Sequence, residues 1–163
     1  ITDSFSELDE YENEMWREDI ETNLTGAYNM IRAIYPEMCA QEWGRIVTIA
    51  SMAGEYGAVG RASYAASKAG VVGLAKTAAL EGGRDGVTSN VVALGLVANE
   101  LADLDLDELE GMRGRFDSVA ENTAVGRIGR EMDVAPLVVF LSSPLAGYIT
   151  GQVYQINGGA NLG

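Results

Sequence analysis

The chain has 163 residues, with 24 Asp and Glu against 11 Lys and Arg, so its formal net charge is −13. Hydrophobic residues at 47% and charged residues at 21% argue against intrinsic disorder, and the length allows one sizeable core. No histidine is present and Cys39 is the single cysteine. Ser-His-Asp triads, Cys-His pairs, His-ligated metals and internal disulfides are therefore excluded within the chain, and the acidic balance argues against nucleic-acid and anionic-membrane partners.

In chain order, Leu8-Asp9 opens a periodic segment that runs to about Trp43. Its apolar positions (Trp16, Ile20, Leu24, Ala27, Met30, Ile31, Ile34, Met38) recur at three and four, which predicts one long amphipathic helix. Asp9 or Ser6 is the expected cap, Gly44 follows the end, and Pro36 predicts a kink or a frayed last turn. Arg45 to Ser51 is a β-branched run between glycines and reads as a buried strand. Residues 52–62 hold three glycines and read as a loop. Ser63 to about Glu81 is a second helix, rich in Ala and Gly and ended by Gly82-Gly83. Thr88 to Ala93 is a strand entering the Leu94-Gly95 turn. Residues 96–124 form a long connection with a helical piece around 105–121. Arg130 or Glu131 to Leu141 is the last helix, and Gly151 to Asn157 a final strand closed by Gly158-Gly159.

Strands alternating with helices require crossover connections, hence an α/β fold with a parallel sheet covered on both faces. Three strands are few for such a sheet. The expectation is the second half of a doubly wound domain, residues 1–163 forming a single unit. Two acidic runs, residues 1–21 and 100–110, lack the converging oxygens and turn glycine of a cation loop, and read as solvated helix faces and an acidic loop. No apolar stretch approaches the ~20 residues of a membrane span, and the composition suits a reducing cytoplasm.

The chemical signal is Tyr64-Ala-Ala-Ser-Lys68 at the start of the second helix. Tyr and Lys four apart share a helix face, and an ammonium there favours tyrosinate, which suits a phenol for acid–base work. On the pair alone, a lysine shielding a half-buried tyrosine is the simpler reading. Ser51 changes the balance, because it ends a buried strand where parallel sheets present catalytic side chains. It could equally cap a turn. Asn23 is a polar residue inside the apolar helix, where it can bond local backbone.

Asn23-Leu24-Thr25-Gly26, Gly44 to Ser51, Tyr64-Ala-Ala-Ser-Lys68-Ala-Gly70, Ser89-Asn90-Val91-Val92-Ala93-Leu94-Gly95, and Tyr148-Ile-Thr-Gly151 with Asn157-Gly158-Gly159 follow in order. Together they resemble the C-terminal half of a short-chain dehydrogenase/reductase of classical, 3-oxoacyl reductase-like type, from about residue 15 to 160. The resemblance implies a Rossmann-like fold and an NAD(P)-dependent oxidoreductase interconverting an alcohol and a ketone. It implies that Tyr64 exchanges the substrate proton, that Ser51 holds the substrate oxygen, that Lys68 supports Tyr64 and binds the nicotinamide ribose, and that Asn23 holds a relay water. Leu94, Gly95, Val97 and Asn99 would contact the nicotinamide, and the loop after them would cover the substrate. A homodimer through the two long helices, often doubled to a tetramer, is implied as well.

The chain departs from the family pattern at Leu94, where proline is usual, at Asn99, where threonine is common, and at Asn157, in place of aspartate. No GxGxxG or GxxxGxG stands at any of its strand-to-helix turns. At about 30 residues per unit, the resemblance implies roughly 90 further residues of nucleotide-binding units ahead of this stretch. NAD and NADP are not distinguished. The alternatives are an inactive truncated fragment that serves only as an association module, and an enzyme completed by a separate chain. Leu101, Asp103, Leu104, Asp105, Leu106, Asp107 and Leu109 alternate leucine with acid, which favours a rather apolar ketone or alcohol over an anionic one.

Overall fold

The computed structural model describes residues 5–98 and 118–160. Helix α1 (Asn13–Asp19) passes through a π-helical segment (Ile20–Thr25) into α2 (Gly26–Ala40). Strand β1 (Gly44–Ser51), a single helical turn α3 (Ala53–Tyr56) and the long helix α4 (Ala62–Gly82) follow. Next come β2 (Val87–Leu94) and two short strands, β3 (Val97–Ala98) and β4 (Gly129–Arg130). Helix α5 (Glu131–Leu141) and strand β5 (Val153–Ile156) complete the described chain.

β1, β2 and β5 form one parallel sheet in the order β1-β2-β5. Alternation along each strand divides the core in two. On one face Ala50, Val91 and Ala93 pack with Val71 and Ala75 of α4 and with Leu24 and Ala27, while Ile46, Val87 and Ala78 meet Ile31, Tyr35 and Met38 of α2. On the other, Val92 and Leu141 pack with Val47, Leu94, Leu137, Val138, Tyr154 and Ile156. β2 is buried along its length except at Leu94, as befits the central strand of a sheet covered on both sides. The parallel α/β architecture expected from the pattern is present.

Polar residues of β2 fasten it to the segment that leads into β5. Buried Asn90 donates from Nδ2 to the Ile149 carbonyl (2.8 Å) and accepts from the Gln152 N–H (3.1 Å). The Gly151 N–H donates to the Ser89 carbonyl (2.8 Å), and Gly151 takes a φ of 70°. These bonds bring the start of β5 alongside β2, so the paired ends of all three strands lie level.

Several expectations are corrected. The first helix begins at Asn13 after a turn at residues 8–10, and its N-cap is Glu12, with neither Asp9 nor Ser6 capping it. Its irregularity lies at Ile20–Thr25, whereas α2 continues four residues past Pro36. The apolar stripe is only partly covered, since Trp16, Met30 and Ile34 are exposed. Residues 52–62 contain the α3 turn instead of loop alone. α4 runs through Gly82 into a 3₁₀ turn (Gly83–Asp85) and stops at Gly86, whose φ of 70° needs no Cβ. Most of the 105–121 helical piece lies outside the described residues, although 118–121 are helical. Asp19, counted with the solvated acidic face, is completely buried.

Candidate active site

Ser51, Leu94 and Ile156 are register partners at the carboxyl ends of the three strands. Backbone bonds close this rim: Met52 N–H to Leu94 O (3.0 Å) and Gly95 N–H to Ile156 O (2.9 Å). The approach is close enough that a Cβ on Gly95 would lie 2.9 Å from the Asn157 Cα, which explains why glycine stands there. Ser51 Oγ accepts the Ala53 N–H (3.2 Å) and so supports the α3 turn. Its own proton remains to be donated. Beside it lies a cavity of about 410 Å³ lined in part by Ser51, Gly54, Ala93 and Gln155.

α4 buries Ser63, Ser67, Val71, Ala75 and Ala78 against the sheet, a line at spacings of four, four, four and three. Tyr64 and Lys68 stand one residue along from that line and are half-buried. Lys68 Nζ lies 5.6 Å from the Tyr64 ring centroid and donates to the Ile49 carbonyl (3.2 Å), two residues before Ser51. The Arg61 guanidinium also lies 5.6 Å from the Tyr64 ring. Gly54 allows the join between the elements, because a Cβ there would stand 2.6 Å from the Lys68 carbonyl carbon. Burial lowers the Lys68 pKa below the usual lysine value.

Asn23 lies in the π-helical segment, and Leu24 beside it packs where a Cβ on Gly70 would fall, 2.8 Å away. The Asn23 amide donates to the Asp19 carbonyl (3.2 Å), so its side chain answers local backbone. A residue that the sequence reading passed over sits at this point. Asp19 Oδ2 accepts a hydrogen bond from the Ser63 hydroxyl, and the Tyr11 hydroxyl lies 2.6 Å from Ser63 Oγ. The signal was present in the spacing, because Asp19 and Asn23 are two polar residues four apart in an otherwise apolar helix line.

Val97 lies in β3, paired with Gly129 of β4. The guanidinium of Arg127 grips Asp133 through two bonds (2.7 and 2.8 Å), and that carboxylate also accepts the Arg130 N–H (2.7 Å). This fork, with the backbone bond, holds the Asp133 carboxyl well below the usual carboxylate range. Asn99 and the leucine–acid segment 101–109 lie outside the described residues.

A family profile described as enoyl-(acyl carrier protein) reductase matches residues 2–161. The chain belongs to the short-chain dehydrogenase/reductase family. It is 38% identical over 150 residues to the 3-oxoacyl-[acyl-carrier-protein] reductase FabG of Haemophilus influenzae, covering 92% of this chain and 60% of that protein. The FabG of Staphylococcus epidermidis is 39% identical over 144 residues, covering 88% and 57%. A solved structure of a candidate gluconate dehydrogenase from Agrobacterium tumefaciens superimposes with a TM-score of 0.87 at 26% identity, over 96% of this chain and 60% of its own. This short-chain dehydrogenase/reductase chain therefore has the Rossmann-like fold and spans about 60% of the length of those relatives.

Proposed function

We propose that this chain carries the proton-transfer half of an NAD(P)-dependent oxidoreductase that interconverts an alcohol and a ketone. The observation that carries the reading is the Tyr64–Lys68 pair, with Lys68 bonded to Ile49 and Ser51 two residues further along the same strand. In reduction the Tyr64 hydroxyl gives its proton to the carbonyl oxygen as the carbonyl carbon gains a hydride, and in oxidation the phenolate takes that proton back. Ser51 donates to the same oxygen and holds it against Tyr64. Lys68 provides positive charge behind the phenol and donors for ribose hydroxyls, since only one of its N–H groups is engaged with Ile49. Asn23 would hold a relay water behind Lys68, and its amide donates to the Asp19 carbonyl.

The donor set fits a nicotinamide nucleotide: an ammonium and a phenol stand beside a backbone rim at the carboxyl ends of parallel strands. When bound, that cofactor supplies or takes the hydride. Lys68 and Tyr64 would hold its ribose. Leu94, Gly95, Val97 and Asn99 would contact the nicotinamide, the first two from the rim where the Leu94 carbonyl and Gly95 N–H also bond backbone. The names of the FabG relatives favour a 3-oxoacyl thioester as the ketone class. The reading further includes assembly of copies of the chain through α2 and α4.

A second reading, an inactive association module, is favoured by the exposed Met132, Val139, Leu145 and Tyr148 around α5. Titration of NADH and NADPH into the 163-residue chain, followed by nucleotide fluorescence, separates the two. Binding near micromolar, with a Tyr64→Phe variant that still binds nucleotide but turns over about 100-fold or more slower, supports the oxidoreductase. No binding up to millimolar supports the association module.

A further inference from the structure

Asp19 is the most heavily buried ionisable group among the described residues that the proposed chemistry does not use. It has no exposed surface, and its Oδ1 has no protein partner. Burying a carboxylate in that condition costs stability, so a helix that retains one in its packed face gains something else from it. Its surroundings suggest what. Ser63 is completely buried, and its single proton goes to Asp19 Oδ2. The Tyr11 hydroxyl must then donate to Ser63 Oγ, which gives a directed chain Tyr11 to Ser63 to Asp19. Ser63 is the second residue of α4, where the helix N-terminus favours negative charge, and it immediately precedes Tyr64. The main-chain carbonyl of the same Asp19 accepts the Asn23 amide, four residues on in the π-helical segment.

Resting on the oxidoreductase reading above, we propose that Asp19 is a positioning residue of the site: its carboxylate holds the start of the helix carrying Tyr64 and Lys68, and its carbonyl holds the amide of Asn23. One residue thereby sets the spacing between the two segments that bear the proposed proton-transfer groups. Asn23 makes its bond from within the π-helical segment that follows Asp19. Charge is not the operative property. The geometry of the two hydrogen bonds is.

The test compares D19A, D19N and S63A in the full chain. D19A and D19N lose the same charge, but only D19N keeps an acceptor for Ser63. Two quantities are read: kcat against KM at saturating nucleotide, and the side-chain amide resonance of Asn23, assigned by its loss in N23A. Positioning predicts that D19A and S63A lower kcat about tenfold with KM nearly unchanged and displace the Asn23 amide, whereas D19N stays within about twofold of the unaltered chain on both. If D19A and S63A keep kcat and the Asn23 resonance while only melting earlier, Asp19 is a structural carboxylate and the proposal falls. An unaltered chain that binds nucleotide but never turns over would sink the oxidoreductase reading instead, and the Asn23 resonance would still decide the role of Asp19. Should D19A fail to fold, S63A against D19N carries the same comparison.

Discussion

Lys68 is held between two demands. Its ammonium reaches the Ile49 carbonyl and the Tyr64 face, yet the side chain is half-buried, and that burial disfavours the charge. The folded-state pKa is therefore lowered from the ordinary lysine value of about 10.4. Below the folded value the cost of charging the buried amine is fully present. It fades as pH rises through that value toward the unfolded one, so this group makes the chain more stable with increasing pH over the interval. Heteronuclear NMR of the ε-amine, assigned by its loss in Lys68→Met, should show Lys68 titrating below 10.4. A midpoint at or above that value would contradict the burial. Asp133 has the opposite sign. Its carboxyl is depressed by the Arg127 fork, so its contribution is complete above about pH 4 and is lost as pH falls. The stability gap between the unaltered chain and Asp133→Asn should narrow steadily from pH 5 to pH 2 in denaturant titrations. A gap independent of pH would show that the pair contributes geometry alone.

Among the elements, glycine contacts decide how closely the site-bearing pieces meet. Gly54 seats the α3 turn on the backbone of α4 at Lys68 and Ala69, and Gly95 lets the end of β2 pass the Asn157 backbone. At Gly95 the obstacle is backbone on the neighbouring strand, which cannot rotate away. Gly95→Ala should cost about 1–3 kcal/mol of stability, read as a lower thermal midpoint, with nucleotide binding weakened in parallel. Unchanged melting would mean that the rim between β2 and residue 157 yields freely. The elements also show how far sequence pattern reached. The strands and the four-residue spacing of Tyr64 and Lys68 were legible because burial in a parallel sheet demands β-branched runs and a helix repeats every 3.6 residues. The π-helical segment was not, because widening a helix by one residue leaves the residue types and the apolar spacing almost unchanged. The β3–β4 pair was equally hidden, since two residues are too few to leave an alternation.

For the whole molecule, the distribution of apolar surface matters more than its total. Tyr28, Met30 and Ile34 of α2 are exposed, as are Met132, Val139 and Phe140 of α5, so apolar side chains face outward on both layers. β1 and β5 are the two edges of the sheet among the described residues, and Ile49 of β1 is also exposed. Such surfaces associate. Sedimentation velocity at micromolar concentration should therefore show dimers or larger assemblies, and a purely monomeric boundary would overturn the proposed assembly through α2 and α4. No helix among the described residues is long and apolar enough to cross a membrane.

The sequence by itself determined the fold class, the order of the main elements and the spacing of the proposed proton-transfer pair, because these follow from periodicities and motifs that act over a few residues. It also contained the family resemblance, carried by five short motifs in order. Only the tertiary structure decided what the polar residues do. Ser51 was legible as a strand end, but its bond to Ala53 depends on where α3 folds. Asn90 and Gly151 became the clasp between β2 and β5. Asp19, one acid in a run of nine on paper, became a buried hydrogen-bond acceptor at the start of α4. The reason is the same in each case: a polar side chain takes its role from the partner it meets, and those partners lie up to 62 residues away in the chain.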